Sequence, residues 1–465
     1  MSRIVVIGID GVECRDGLAD LGPSRRTRQF ASAISDAGHE VVVLRLAASH
    51  PAIVPQVRDG RSVGGRCVEQ ISTSMERFAR GHGRALLSEL SADGVVAATV
   101  HASALAARAV AEGVPLWADV FGDPMAEAQA KAVVDGHDLA LARYWEALVV
   151  AVDRGDHFSA VSNVQAHALV GQLGLTGRLT GASAGMDMVS VIPCGAERLE
   201  VAAGYDPVVE GLSPDAFVVL FSGSFNTWCD VDTMLLGVEA AMAADGEIHF
   251  VVTGGAVPGH DERTYEEFLM RLRASRHGSR VHVLGWIPRP RLAALYVRAN
   301  VGLNIERVLY ERALGAENRV VEWMRHGIPA VTTAASESGR DLVKRGLAFA
   351  IHQGDPQALS GMLVELSRDR DRVRTVGARC AEYAERACSY AVTARPLVEW
   401  CANPRRAARS DEKRLRVALA SEPHALSGLL EDYLSEIPPH RLAYRSVRWL
   451  WRRFARARRE SDHRT

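Results

Sequence analysis

Glu317-Asn318-Arg319-Val320-Val321-Glu322-Trp323-Met324-Arg325-His326-Gly327-Ile328-Pro329-Ala330-Val331-Thr332-Thr333 is the stretch around which this chain is organised. It spells a helix with charge on its first turns, a Gly-x-Pro stop at Gly327, and a β-branched run of the kind that forms a buried strand. In an open α/β sheet the N-terminus of such a helix lies over the carboxyl ends of the strands, where its unsatisfied N–H groups suit an anion.

Working outward, the same half of the chain repeats the pattern. Apolar runs at 217–221, 248–252, 281–284 and 301–305 precede or follow helical stretches, and with 328–333 they make five strands. Strands separated by helices predict a parallel sheet covered on both faces. Each run ends in small or polar residues: Ser222-Gly223-Ser224-Phe225-Asn226, Thr253-Gly254-Gly255, Gly285-Trp286, and Asn304 with Glu306. Glycines at strand ends allow a nucleotide to approach the backbone closely. Trp286 either stacks on a base or serves as a cap or core residue.

The first half opens with an apolar run at 4–7, a Gly/Asp-rich loop over 8–22, a helix from about Pro23 and a strand at 41–44, a βαβ unit. Gly8, Gly11 and Gly17 have the wrong spacing for a dinucleotide fingerprint, which argues against NAD. Arg25, Arg26 and Arg28 open the helix, either solvated, locally paired or facing the cleft. Further strands at 94–99 and 114–119 end near His101, Asp119 and Asp123. Strand ends line the ligand crevice of a doubly wound sheet, so these three are candidates to grip an acceptor hydroxyl or a transferring sugar. Asp123-Pro124 also has the pattern of a helix N-cap with Pro at the first helical position.

On these residues the chain resembles the GT-B glycosyltransferases, especially the retaining family-4 (glycosyltransferase group 1) enzymes. The likeness rests on Glu322 five residues before Gly327 of the Gly-x-Pro, on a loop near Gly22, and on Gly38-His39-Glu40-Val41 leading into the second strand; it extends over about 1–402. It implies an α/β protein with two Rossmann-like doubly wound domains facing a cleft, plus a C-terminal helical tail. The expected division is 1–195 for an acceptor domain, 196–384 for a nucleotide-sugar donor domain, 385–402 for the end of a closing helix that starts near 377, and 403–465 for a basic helical tail. Gly223, Ser224, Asn226, Thr253, Gly254, Gly285, Trp286, Asn304, Arg319 and Glu322 would bind the donor, with Glu322 on the ribose. Asp119, Glu317 and His101 are the expected catalytic residues, and Gly22 and Asp123 the acceptor side.

Several positions depart from the family. Ser224 and Cys229 stand where an Arg and a Lys neutralise the donor diphosphate, and Cys194 replaces the Asn of a Pro-Asn-Gly turn. Arg319 is the first candidate to replace the lost charge, ahead of Arg340 and Lys344. Leu314 occupies the first position of the retaining group's Glu-x7-Glu, so Glu317 is the expected substitute.

A chain of 465 residues with 55 basic and 56 acidic residues is a multi-domain globular protein with no global pull toward nucleic acid. Seven cysteines lie without metal-type spacing and are expected to be reduced thiols. No leader and no run of roughly 20 apolar residues is visible, so a cytoplasmic protein is expected. No metal or other cofactor is expected: Asp230-Val231-Asp232 fits a helix N-cap, and the nucleotide sugar is a substrate. Over 441–459, Arg residues face one side and Trp451 and Phe454 the other, which fits an anionic inner membrane surface or a protein partner, and not nucleic acid. The expected activity is hexosyl transfer from a nucleotide sugar to a glycan, lipid-linked or small-molecule acceptor, in polysaccharide, glycolipid or cell-envelope glycan synthesis. A catalytically silent scaffold of a glycan assembly and a sugar-nucleotide epimerase of the same fold are the alternatives.

Overall fold

Ile4, Val5, Val6 and Ile7 expose none of their surface, which a strand achieves only when both of its faces are covered. The computed structural model describes residues 1–407 apart from 11, 15–16, 20, 48–56, 64–65, 202–208, 210–211 and 258–259, with backbone alone over much of 12–19 and 57–67. The basic helix expected over 441–459 therefore lies outside the described residues.

β1 (Arg3–Ile9) is followed by a small antiparallel hairpin, β2 (Val12–Cys14) with β3 (Gly17–Ala19). It is joined in one sheet by β4 (Glu40–Ala47), β5 (Val57–Val63), β6 (Arg66–Ser74), β7 (Gly94–Ala97), β8 (Leu116–Asp119), β9 (His157–Ala160) and β10 (Val189–Val191). Their order is β10-β9-β8-β7-β1-β4-β6-β5, parallel except for the edge strand β5. The second sheet contains β11 (Phe217–Ser224), β12 (Ile248–Gly255), β13 (Val281–Gly285), β14 (Val301–Asn304), β15 (Ala330–Thr332) and β16 (Ala348–Ala350). Its order is β13-β12-β11-β14-β15-β16, parallel throughout. This half has six strands where the hydrophobic pattern shows five; the sixth is β16, paired parallel to β15.

Alternation along each central strand feeds two cores. Phe217, Val219 and Phe221 pack on one face of β11 and Val218 and Leu220 on the other. The first sheet divides in the same way, with Val5 and Ile7 on one face and Ile4 and Val6 on the other. In both sheets the strand order reverses beside the central strand, between β1 and β7 and between β11 and β14. Such switch points open a crevice at the carboxyl ends of the strands.

The closing helix is broken. Helix Arg370–Ala387 stops, Tyr390–Thr393 makes a short turn, and Arg395–Ala402 completes the run. Ser389 restarts the helix by accepting from Val392 N at 3.4 Å, and Pro396 sits where no N–H is needed. Tyr390, Ala394, Leu397 and Cys401 then pack on Ile4 and Val6 of the first sheet and on Phe30 of the helix Gly22–Asp36. Both sheets belong to one compact unit. Cys194, Cys229, Cys380, Cys388 and Cys401 are free thiols. Among the described residues no helix is long and apolar enough to cross a membrane.

Candidate functional site

Three strands of the second sheet end in glycines with φ of +113°, +102° and +65°, at Gly223, Gly254 and Gly285. Gly223 and Gly254 are partners in the ladder, and a Cβ on Gly254 would stand 1.9 Å from the Gly223 carbonyl oxygen. Only glycine allows the two backbones to run this close. Thr253 Oγ1 donates to Gly285 O at 2.8 Å, which ties the third strand end to the second. The Trp286 indole donates to Ala256 O at 3.0 Å; the side chain is half-buried and belongs to neither apolar core.

The helix Asn318–Arg325 brings charge to these ends. Arg319 donates to Ser224 O at 2.9 Å, and its guanidinium lies 4.5 Å over the Phe221 ring. Arg340 turns away to Ala335 O at 2.8 Å, and Lys344 is exposed. Arg319 is thus the cation placed at the β11 end. Asn226 closes a tight turn in which its carbonyl accepts from Cys229 N at 2.8 Å. Asp230 then caps the next helix, accepting from Thr233 N at 3.1 Å and Thr233 Oγ1 at 2.7 Å, as its spacing predicts.

Glu317 and Glu322 flank Arg319, and both are buried. Glu317 accepts from the hydroxyls of Ser336 and Ser338, each at 2.5 Å. Glu322 accepts from Tyr296 OH at 2.9 Å and pairs with Arg25 at 2.8 Å, with Arg289 at 3.8 Å. Burial, and then the Glu322 charge, push the Tyr296 phenol upward and keep it a donor. Arg25 belongs to the helix Gly22–Asp36 of the first domain. A Cβ on Gly22 would meet Asn318 Nδ2 at 3.3 Å and Phe121 at 3.4 Å, so the opening turns of the two helices touch through a glycine.

On the first domain, Asp119 has 0% of its surface exposed. It accepts from Arg26 Nη2 at 2.7 Å, Arg26 Nε at 3.1 Å, Ser159 Oγ at 2.6 Å and Thr99 N at 3.2 Å. A carboxylate offers about four acceptor sites, so none of Asp119 remains to take a substrate proton. It acts here as the anchor of Arg26, which also donates to Ile192 O at 2.8 Å. Asp123 is a helix cap, accepting from Ala126 N at 2.8 Å and from Gln172 Nε2 at 2.7 Å.

His101 lies edge-on to Tyr144, centroids 5.1 Å apart, in a cluster that its spacing did not announce. Tyr144 OH donates to Glu127 at 2.9 Å, and Lys131 Nζ is 2.6 Å from Nδ1 of His260. Burial holds His101 and His260 below the ordinary imidazole range, only partly opposed by the Glu127 charge. Both rings are neutral at pH 7. Glu127, Lys131 and Tyr144 come from the helices after β8 and His260 from the second domain, so only the folded chain assembles them.

Residues 216–369 match the family model described as glycosyl transferases group 1. No curated protein matches the chain. Among solved structures it is similar to sucrose-phosphate synthase from Thermosynechococcus elongatus, at 16% identity and TM-score 0.63, over 86% of this chain and 98% of that one. It is also similar to Anabaena HepE in complex with UDP-glucose, at 15% identity and TM-score 0.57, over 86% and 100%. A third is WaaG, a glycosyltransferase involved in lipopolysaccharide biosynthesis, at 14% identity and TM-score 0.53, over 86% and 100%. Two doubly wound domains with a closing helix give this chain the fold of the GT-B glycosyltransferases, and its second half carries the match to the group 1 model over 216–369.

Proposed function

We propose that the chain transfers a hexosyl group from a nucleotide diphosphate sugar, held at the ends of β11, β12 and β13, to an acceptor held by the first domain. The observation that carries this is the Arg319 guanidinium bonded at 2.9 Å to the carbonyl of Ser224, beside the positive-φ glycines. A diphosphate there meets the N–H groups of Gly223, Ser224 and Asn226 and one fixed cation. Glu322 takes the ribose by exchanging its bond with Arg25 or Tyr296, Trp286 stacks on the base, and Glu317 faces the transferring sugar. His101 works on the acceptor side, and Asp119 acts through Arg26 as a positioning residue. Catalysis on this scheme is positioning of the acceptor hydroxyl and stabilisation of the leaving diphosphate, with no resident cofactor. Retention of configuration follows the family likeness, and a lipid-linked or glycan acceptor at the inner membrane face would suit the basic stretch 441–459.

Thermal stabilisation by UDP-, GDP-, dTDP- and ADP-sugars tests the scheme. One nucleotide class is expected to raise Tm by mass action. Arg319→Ala should weaken its affinity about tenfold to a hundredfold, the equivalent of one charge-assisted hydrogen bond, and Glu322→Gln should weaken it while preserving the fold. A well-folded protein that none of the four stabilises would instead be the silent scaffold, and turnover of the bound sugar without any acceptor would mark an epimerase.

A further inference from the structure

Two segments leave the switch point of the second sheet side by side. Cys229 and Glu306 form an antiparallel bridge, with Arg307 N donating to Trp228 O at 2.7 Å and Asp230 N to Ile305 O at 3.1 Å. On these two segments Thr227 Oγ1, Asn304 Oδ1 and Glu306 Oε2 have no hydrogen-bond partner among the described residues. Thr227, Asn304 and Glu306 are 2%, 1% and 3% exposed. Buried polar atoms go unpaired rarely, because each loses its water without replacement. Three of them on paired segments mark a place that a polar ligand completes.

The charges around Glu306 do not balance. Facing it are Glu311 and Arg312 of the helix Tyr310–Leu314, Glu317 and Arg319 of the helix opening, and the Cys229 thiol. That is three carboxyl groups against two guanidinium groups. Arg312 grips Glu311 with Nε and Nη2 and spares only Nη1 for Glu306 Oε1, at 3.3 Å. Glu317 is satisfied by two serine hydroxyls. Glu306 is the carboxyl group left over, and one shared proton removes the surplus charge.

We propose that Glu306 is a neutral carboxylic acid in the donor site, accepting from Arg312 through one oxygen and donating its O–H to a phosphate oxygen of the nucleotide sugar. It supplies a hydrogen-bond donor beside Cys229, whose thiol burial keeps uncharged. This rests on the donor site proposed above. Burial first, and then the Glu317 and Glu311 charges, push the Glu306 carboxyl up to about 7 against the pull of Arg312 and Arg319. The proton is therefore held below that pH and lost above it.

The test is affinity for the same four nucleotide sugars by calorimetry, from pH 5.5 to 8.5, on the full chain and on Glu306→Gln and Glu306→Ala. A nucleotide diphosphate sugar has no phosphate that titrates in this range, so any slope belongs to the protein. Wild-type affinity is expected to be level below pH 7 and to fall about tenfold per pH unit above it, since binding then takes up one proton. Glu306→Gln, whose amide N–H donates at every pH, should bind with the low-pH affinity and no slope. Glu306→Ala should bind weakly throughout, with circular dichroism confirming the fold. A level wild-type profile, a slope that persists in Glu306→Gln, or a folded Glu306→Gln that does not bind would each overturn the proposal. Absence of wild-type binding at every pH would overturn the donor site itself, and this inference with it.

Discussion

Asp119→Ala is expected to lower the free energy of unfolding by about 3–5 kcal/mol, the typical cost of removing one partner of a buried ion pair. Arg26 is 1% exposed, and without Asp119 its guanidinium keeps its bonds to neutral acceptors and no countercharge. The hydroxyl of Ser159 and the N–H of Thr99 lose their acceptor at the same time, which adds desolvated donors to the cost. Because β8 ends at Asp119 and helix Gly22–Asp36 carries both Arg25 and Arg26, the damage should reach the cleft as well as the core. Urea unfolding followed by circular dichroism measures it. The double change Arg26→Leu with Asp119→Leu should recover much of the loss, since a buried pair can often be replaced by apolar residues at little cost. A loss under 1 kcal/mol for Asp119→Ala would show that water reaches the pair and that the anchoring role is wrong.

Gly254→Ala is expected to abolish nucleotide-sugar binding in a protein that still folds at reduced stability. Two penalties combine. A φ of +102° is unfavourable for any residue with a Cβ, by about 1–3 kcal/mol. The new methyl would also fall 1.9 Å from Gly223 O, and a main-chain oxygen in a parallel ladder has no rotamer by which to escape. The ends of β11 and β12 must separate, carrying with them the Ser224 carbonyl to which Arg319 is bonded. Gly136→Ala, at the end of the first-domain helix Pro124–Asp135, is the control. Its φ is +72°, but nothing lies within 4 Å of the added Cβ. It should cost only the conformational penalty and leave binding near the wild-type value. Equal binding by all three proteins in calorimetry would remove the close strand ends from the donor site.

Much of the second domain was legible because its signals are local. The β-branched runs, the Gly-x-Pro stop at Gly327 and the glycines closing β11, β12 and β13 each read within a few residues. Asp123 and Asp230 fit helix caps by spacing alone, since a cap bonds a backbone N–H three residues on. Arg319 could be nominated for the strand end because it lies on the first turn of its helix. These features depend on steric limits and on hydrogen bonds inside one turn, which the order of residues determines directly.

The partners of the charged residues were decided only by the tertiary structure. Arg26 meets Asp119 across 93 positions, and Lys131 meets His260 across 129. Nothing in their spacing distinguishes Asp119 as a saturated anchor from Asp119 as a free carboxylate. That difference arises when β8 and β9 bring Ser159 beside it and the helix Gly22–Asp36 lays Arg26 over the strand end. Glu322 likewise reads as a ribose ligand in its own motif, while Arg25 of the first domain and Tyr296 already hold it. Glu306 was legible as a residue delivered to the strand edge but not as a buried carboxyl group that shares Arg312 with Glu311. The strength of a charge depends on its distance to every other charge and on the water excluded around it, and both are properties of the packed sheet order, not of the chain's sequence of letters.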